Sequence, residues 1–263
     1  MISVKNIKEY LDQWAPESLA LEWDNVGLQC GYLENKVKSV IISMDIDSVI
    51  LSMINQVDLD CIITHHPLIF KPLTQLDLST IEGKIIQACI KNKTTILSYH
   101  TNLDKTDGGV NDCLMKQFNA SDGTCFKDGI GKWIEQEHPS SLTDWLNRFQ
   151  VVYKKALTIC PRVKTDYDNY KHHLRITGET IEKPIKRIAF CGGSGRSLLS
   201  ELIENKIDLF ITGELNYHDE LWCEMQGITV FLMGHKESEV FVLPEIETRL
   251  IKQFGQEFTI KVI

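Results

Sequence analysis

No stretch of this 263-residue chain is both long and apolar enough to span a bilayer, so a transmembrane helix is not expected. The opening residues Met1-Ile2-Ser3-Val4-Lys5-Asn6-Ile7 lack the apolar core of a secretory signal. Ser3 instead stands where an N-cap belongs, ahead of a helix expected to bury Val4, Ile7, Leu11 and Trp14. The expectation is a soluble, cytoplasmic protein. Cys-x-x-Cys pairs are absent too: the eight cysteines, at 30, 61, 89, 113, 125, 160, 191 and 223, stand singly. They read as reduced, partly buried hydrophobes rather than disulfides or zinc ligands. The chain also lacks a long lysine or arginine run, and a formal charge of −8 with a pI near 5.5 weighs against a grip on nucleic-acid phosphates. Lys164 to Lys171 mixes positive charge with tyrosine, but aspartates interrupt it and a solvated face is the better reading.

What the chain does have is repetition. Asp60-Cys61-Ile62-Ile63-Thr64 resembles Asp208-Leu209-Phe210-Ile211-Thr212, 148 residues later. Ahead of each lies an apolar set at helical spacing, Val49, Ile50, Met53 and Ile54 in one half and Leu198, Leu199, Leu202 and Ile203 in the other. Earlier still come the β-rich runs Val37 to Ile42 and Ile185 to Phe190. After each come an apolar strand, a histidine, and a carboxylate four residues on: His100 with Asp104, and His235 with Glu239. A match at nearly fixed offset over several elements is the mark of internal duplication. Strands alternating with amphipathic helices predict parallel pairing. The fold class expected is therefore α/β, with two pseudo-symmetric duplicated lobes of layered sheets and helices and a metal cleft between them. The expected lobes are 1–122 and 123–263, with a boundary near Gly123 and final strands that cross between lobes as an open alternative. Between them, Ser121 to Lys183 reads as polar connecting stretches around a short capped helix, Ser141-Leu142-Thr143-Asp144-Trp145-Leu146.

Open α/β sheets bind ligands at the carboxyl ends of their strands, where these histidines and acids fall. Thr64-His65-His66-Pro67 follows an apolar strand. Adjacent side chains on an extended backbone point apart, so the two imidazoles are expected to serve two different ions. His172-His173 lies among Tyr167, Asp168, Tyr170 and Lys171 with no strand end or following proline, and is read as having no role. Imidazole and carboxylate mixtures suit Zn, Fe, Mn, Co or Ni rather than a thiolate-selective ion.

Six ordered motifs, spread over nearly the whole chain, resemble one family: Trp23-Asp24-Asn25-Val26-Gly27-Leu28-Gln29, His65-His66-Pro67, His100-Thr101-Asn102-Leu103-Asp104, Gly192-Gly193-Ser194-Gly195, Thr212-Gly213-Glu214 with His218, and Gly234-His235 with Ser238-Glu239. The chain resembles the dinuclear-metal hexameric proteins labelled GTP cyclohydrolase 1 type 2, the YbgI-like proteins. That resemblance implies two divalent ions per chain on His65, His66, Asp104, His235 and Glu239, with Glu239 shared, and a toroidal homohexamer. Glu214 stands where an aspartate is more usual, which leaves its role open, and the long insertion of larger members is absent.

Other candidates stay open. His100 is read as a residue that orients a ligand or moves a proton, or else as a structural hydrogen-bonding group; His218 has the same reading. Gly192-Gly193-Ser194-Gly195-Arg196, at an expected strand-to-helix turn, is either a tight turn or an anion cradle for a nucleotide phosphate, with Arg196 as charge partner. Two functions follow. One is a metal-dependent hydrolase acting on a nucleotide such as GTP by cyclohydrolase-type ring opening. The other is a non-catalytic metal-handling, scaffold or regulatory hexamer. A nucleic-acid partner is disfavoured by charge.

Overall fold

The computed structural model describes residues 2–56, 58–159 and 184–263; Cys160, Lys164 to Lys171 and the His172-His173 pair lie outside them. The fold is mixed α/β with two five-stranded sheets, as the alternation of strands and helices predicts. The chain forms two compact units, Met1–Asp107 with Leu243–Ile263, and Gly108–Val242.

The first unit begins with α1 (Val4–Trp14). Ser3 Oγ accepts the Asn6 N–H at 3.4 Å, a cap that satisfies one of the first turn's orphan donors. Val4, Ile7 and Leu11 are buried as expected, whereas Trp14 is only half-buried, beneath the Arg249 guanidinium at 4.0 Å. There follow β1 (Gly27–Cys30), β2 (Ser39–Ser43), α2 (Ser48–Gln56), β3 (Cys61–Thr64), α3 (Ile81–Asn92), β4 (Thr95–Ser98) and the short α4 (Thr101–Lys105). Strands β2, β3 and β4 run parallel, and β1 closes the edge antiparallel to β4. Every residue of β3 and β4 is buried, the pattern of a parallel strand covered on both faces. Ile50 and Ile54 of α2 and Ile85 and Cys89 of α3 pack with Ile41, Ile62 and Ile96 of the sheet.

The second unit contains α5 (Val110–Gln117), β5 (Thr124–Cys125), β6 (Lys132–Ser140), α6 (Leu142–Ile159), β7 (Ile185–Ser194), α7 (Leu199–Glu204), β8 (Leu209–Glu214), α8 (Tyr217–Met225), β9 (Thr229–Leu232) and α9 (His235–Glu239). Strands β7, β8 and β9 are parallel, and β6 lies antiparallel to β7. The chain then returns to the first unit with α10 (Leu243–Phe254) and β10 (Thr259–Val262). There β10 extends the sheet in parallel, with Thr259 opposite Ser39. The division expected near Gly123 therefore falls inside the second compact unit, and the last 21 residues belong with the first. The helix expected over Ser141 to Leu146 continues to Ile159. Leu142, Trp145, Phe149, Val152, Tyr153 and Ala156 recur at intervals of three or four and are all buried, so a longer helix is stabilised by one apolar face.

The duplication is visible in the register. Val40, Cys61 and Thr95 stand opposite one another in the first sheet, and Ile188, Leu209 and Thr229 do so in the second. Asp60 and Asp208 do the same work. The Asp60 carboxylate accepts the N–H groups of Lys38 and Ser39 at 2.8 and 3.1 Å, and its carbonyl accepts Thr95 N–H at 2.9 Å. The Asp208 carboxylate accepts those of Lys186 and Arg187 at 3.0 and 2.9 Å, and its carbonyl accepts Thr229 N–H at 3.0 Å. Each acid thus ties the entry of its own strand to both neighbours. Replacing Asp208 by alanine removes two charge-assisted hydrogen bonds, one part-buried and one exposed, and a loss of about 1–2 kcal/mol is expected in urea unfolding.

The match of His100 with His235 is one residue out of step. In the register, Tyr99 N–H donates to Thr64 and Met233 N–H to Thr212, so Tyr99 corresponds to Met233 and His100 to Gly234. His100 is the N-cap of α4, while His235 is the first residue of α9. Among the described residues no helix is long and apolar enough to cross a membrane. Cys61, Cys89, Cys113, Cys191 and Cys223 are buried, Cys30 is half-buried and Cys125 exposed.

Candidate metal centre

In the first unit the chain bends as it leaves β3. His65 N–H donates to Ser43 at 3.1 Å and His66 N–H to Met44 at 2.9 Å, both just where β2 ends. An extended backbone turns neighbouring side chains apart, but this bend brings the two rings to a centroid distance of 5.1 Å. His65 is fully buried, with Nδ1 2.8 Å from the Tyr99 carbonyl. A carbonyl only accepts, so in the neutral ring Nδ1 carries the proton and Nε2 keeps its lone pair. Two carboxylates impose the same tautomer on the neighbouring imidazoles. His66 Nδ1 lies 2.7 Å from Asp45 Oδ1, and His100 Nδ1 lies 2.9 Å from Asp24 Oδ1. One ligand-capable atom from each of His65, His66 and His100 falls within 4.8 Å of the others. Asp104, on α4, places Oδ1 3.6 Å from His65 Nε2. The first unit thus presents three imidazoles and a carboxylate on one face.

The second unit carries a smaller set. Gly234, at φ +90°, turns the chain from β9 into α9, so that His235 stands on the first turn and Glu239 one turn later. His235 Nδ1 lies 3.1 Å from Glu214 Oε1, and its Nε2 lies 3.5 Å from Glu239 Oε1. Glu239 is 3% exposed. Ser238 Oγ accepts Gly193 N–H at 2.9 Å and donates to the His235 carbonyl at 2.7 Å, clamping the end of β7 to α9. Asn111 accepts Gly192 N–H at 3.0 Å.

The other sequence candidates are placed as follows. Gly192, Gly193 and Ser194 lie within β7, and Gly195 and Arg196 form the turn after it. A Cβ on Gly193 would meet Glu239 Oε1 at 2.4 Å and His235 Nε2 at 3.2 Å, so close approach to these two side chains accounts for that glycine. Arg196 Nε lies 3.6 Å from Asp219 Oδ2. His218 is exposed on the first turn of α8, its ring 5.3 Å from that of Tyr217. Asp24, Asp45, Asn111 and Ser238 are groups that the sequence does not single out. Asp24 and Ser238 sit inside recognisable motifs, whereas Asp45, between Met44 and Ile46, and Asn111 carry no pattern of their own.

The Asp24 side chain is fully covered. Burial alone raises its pKa, but the hydrogen bonds from His100 and Thr101 and the nearby His100 charge outweigh it and hold the carboxyl at about 2, below the ordinary 3.8. A depressed acid stabilises the fold above its unfolded pKa, and the contribution is lost as pH falls through the folded value. The wild type should therefore exceed Asp24→Asn by about 1–2 kcal/mol at pH 6, solvent screening allowed for, and the gap should close between about pH 4 and pH 2. Urea denaturation across that range measures it.

The model of the Duf34/NIF3 (NGG1p interacting factor 3) family matches residues 2–263. The NIF3-like protein 1 of Drosophila melanogaster is 33% identical over 95% of this chain and 82% of its own length. A Clostridium perfringens protein named GTP cyclohydrolase 1 type 2 homolog is 26% identical over 97% of this chain and 94% of its own. Among solved structures, a hypothetical protein of Staphylococcus aureus has a TM-score of 0.82 at 22% identity, covering 99% of this chain and 96% of that one. Reduced HcgD from Methanocaldococcus jannaschii has a TM-score of 0.77 at 24% identity, covering 99% and 97%. These likenesses extend over both units and every strand named above, and the chain belongs to the Duf34/NIF3 family.

Proposed function

We propose that His65, His66, Asp104, His235 and Glu239 together hold two divalent metal ions, with Glu239 shared, and that the chain is a metal-dependent hydrolase acting on a nucleotide such as GTP. The observation that carries this reading is the convergence of ligand-capable atoms of His65 and His66 with His100 within 4.8 Å, two proposed ligands beside the proposed proton carrier, each ring engaged through Nδ1 by an acceptor. His235 repeats that arrangement. Oxygen and imidazole ligands of this kind suit Zn, Fe, Mn, Co or Ni. Gly193 supports the fit, since any larger residue would fill the space against Glu239 and His235.

Bound in pairs, such ions lower the pKa of water and polarise the bond under attack. The chain's own residues supply the rest. His65 is fixed by a backbone carbonyl and a buried setting, and Glu239 is fixed by its helix and by the tight passage of β7. His100, within 5.2 Å of the His65 ring and 5.8 Å of the His66 ring, is the group this reading assigns to proton transfer through Nε2. Cyclohydrolase-type ring opening of GTP is the reaction that the names of several relatives suggest for this chain, and this reading takes formate as the one-carbon product. The reading also includes the hexamer that the family resemblance implies, supported by the exposed apolar side chains Leu76, Leu78 and Ile90, which line one groove. Light scattering on the eluted species measures that mass.

The test is formate release from GTP by protein loaded with each candidate metal in turn. Turnover that disappears in His100→Ala at unchanged metal content supports the hydrolase and the part given to His100. Full metal occupancy with no turnover of GTP or another nucleoside triphosphate would favour the non-catalytic metal-handling assembly.

A further inference from the structure

We infer that Asp24, Asp45 and Glu214 are positioning residues of the site: ligating no metal themselves, they hold His100, His66 and His235 in the tautomer that presents Nε2. The inference deepens the proposed metal reading and rests on it only for the choice of ion.

The geometry is selective. Six histidines lie among the described residues, and the four that belong to the two half-sites each have Nδ1 against an acceptor. His138 and His218, both exposed, have no such carboxylate. The three acids come from unrelated places: Asp24 from the segment before β1, Asp45 from the turn after β2, and Glu214 from the end of β8. Three carboxylates from separate segments thus meet the same ring nitrogen, one of them with its side chain fully covered. For His65 the Tyr99 carbonyl does the same job, so acceptor position rather than acceptor type is the common feature.

The chemistry follows from the ring. A neutral imidazole has one N–H, and an acceptor at Nδ1 leaves the lone pair on Nε2. A carboxylate in that place also makes Nε2 more basic and stops the ring from turning, which is why such partners are worth 10–100-fold in metal affinity. Asp24 is the best held of the three: His100 donates to Oδ1, while the Thr101 N–H at 3.0 Å and its hydroxyl both donate to Oδ2. That gives a task to the Trp23-Asp24-Asn25 segment, which supplies no metal ligand. Glu214 gains a role as well. It reaches His235 from a strand end, and the position that departs from the more usual aspartate is still spanned by a carboxylate at 3.1 Å.

Two readouts on the 263-residue chain decide the matter. Long-range proton–nitrogen correlation on the metal-free protein at pH 8 reports the tautomer of each ring, with no metal or substrate needed. The wild type should show the Nδ1–H form at His65, His66, His100 and His235. Asp24→Ala, Asp45→Ala and Glu214→Ala should each return only its own partner to a mixture rich in the Nε2–H form. Calorimetric zinc titration should then show a 10–100-fold weaker ion in Asp45→Ala and Glu214→Ala, with a smaller loss in Asp45→Asn and Glu214→Gln, which keep an acceptor oxygen. Should an alanine variant fail to fold, Asp24→Leu, Asp45→Leu or Glu214→Met, which fill the space but offer no acceptor, carries the same comparison. Rings that keep the Nδ1–H form without their acids, or affinities within twofold of wild type, overturn the inference while leaving the metal centre standing. A wild type that takes up no zinc overturns the metal reading instead, and the tautomers still decide the role of the three acids.

Discussion

Glu239→Ala is expected to cost the protein its metal. Glu239 is 3% exposed and sits 3.5 Å from His235 Nε2, whose other nitrogen is engaged by Glu214. A carboxylate oxygen and an imidazole lone pair held this close inside the fold are joined favourably by a cation. In the proposed centre Glu239 is also the shared ligand, so its removal weakens both ions at once. Wild-type protein purified without chelator should carry near two equivalents per chain by plasma mass spectrometry, and Glu239→Ala less than a tenth of that. His65→Ala should fall in the same way, because its ring is fully buried, held at Nδ1 by the Tyr99 carbonyl, and presents Nε2 3.6 Å from Asp104 Oδ1. Metal at a thousand times its dissociation constant adds about 4 kcal/mol to folding stability. Added metal should therefore raise the melting temperature of the wild type and leave that of both variants nearly unchanged. Metal retained in full by Glu239→Ala would remove this residue from the centre.

Much of the fold and of the ligand set is legible in the amino-acid order, because the informative features are short-range. The apolar runs at β3 and β8 and the acids at Asp60 and Asp208 recur at one offset, and the parallel strands at the centre of each sheet follow from that pattern. Three features are not legible there, each for a physical reason. The bend at His65 depends on hydrogen bonds to Ser43 and Met44, more than twenty residues away, so the extended rule for neighbouring side chains gives the wrong ring directions. The full length of α6 is hidden because Lys154 and Lys155 and its other polar residues make its second half look like a connector, while its apolar face continues to Ala156. The return of β10 to the first unit is a pairing between Thr259 and Ser39, and no local signal announces a contact 220 residues distant. The carboxylates behind the histidines belong to the same class: Asp45 meets His66 only because β2 and β3 are neighbours.

Gly193→Ala tests whether the glycine-rich segment serves the metal ligands by steric room alone. Gly193 sits at φ +64°, and Gly227, in the turn between α8 and β9, sits at φ +69°. The two share the backbone conformation that an L side chain rarely adopts, and each alanine variant is destabilised on that account by about 1 kcal/mol. Their surroundings differ. A Cβ at Gly227 meets nothing within 4 Å, whereas at Gly193 it falls 2.4 Å from Glu239 Oε1 and 3.2 Å from His235 Nε2. Glu239 is buried and lies at the end of a short helix that Ser238 ties to Gly193 itself, so it has little freedom to withdraw. Gly227→Ala should lose about 1 kcal/mol in urea unfolding and bind zinc as the wild type does. Gly193→Ala should lose about 3 kcal/mol, the extra coming from overpacking, and bind zinc at least tenfold more weakly although every ligand is still present. Equal zinc affinity in the two variants would return these glycines to the role of an ordinary turn. A selective loss in Gly193→Ala would instead establish that the passage of β7 over α9 sets where Glu239 and His235 can stand.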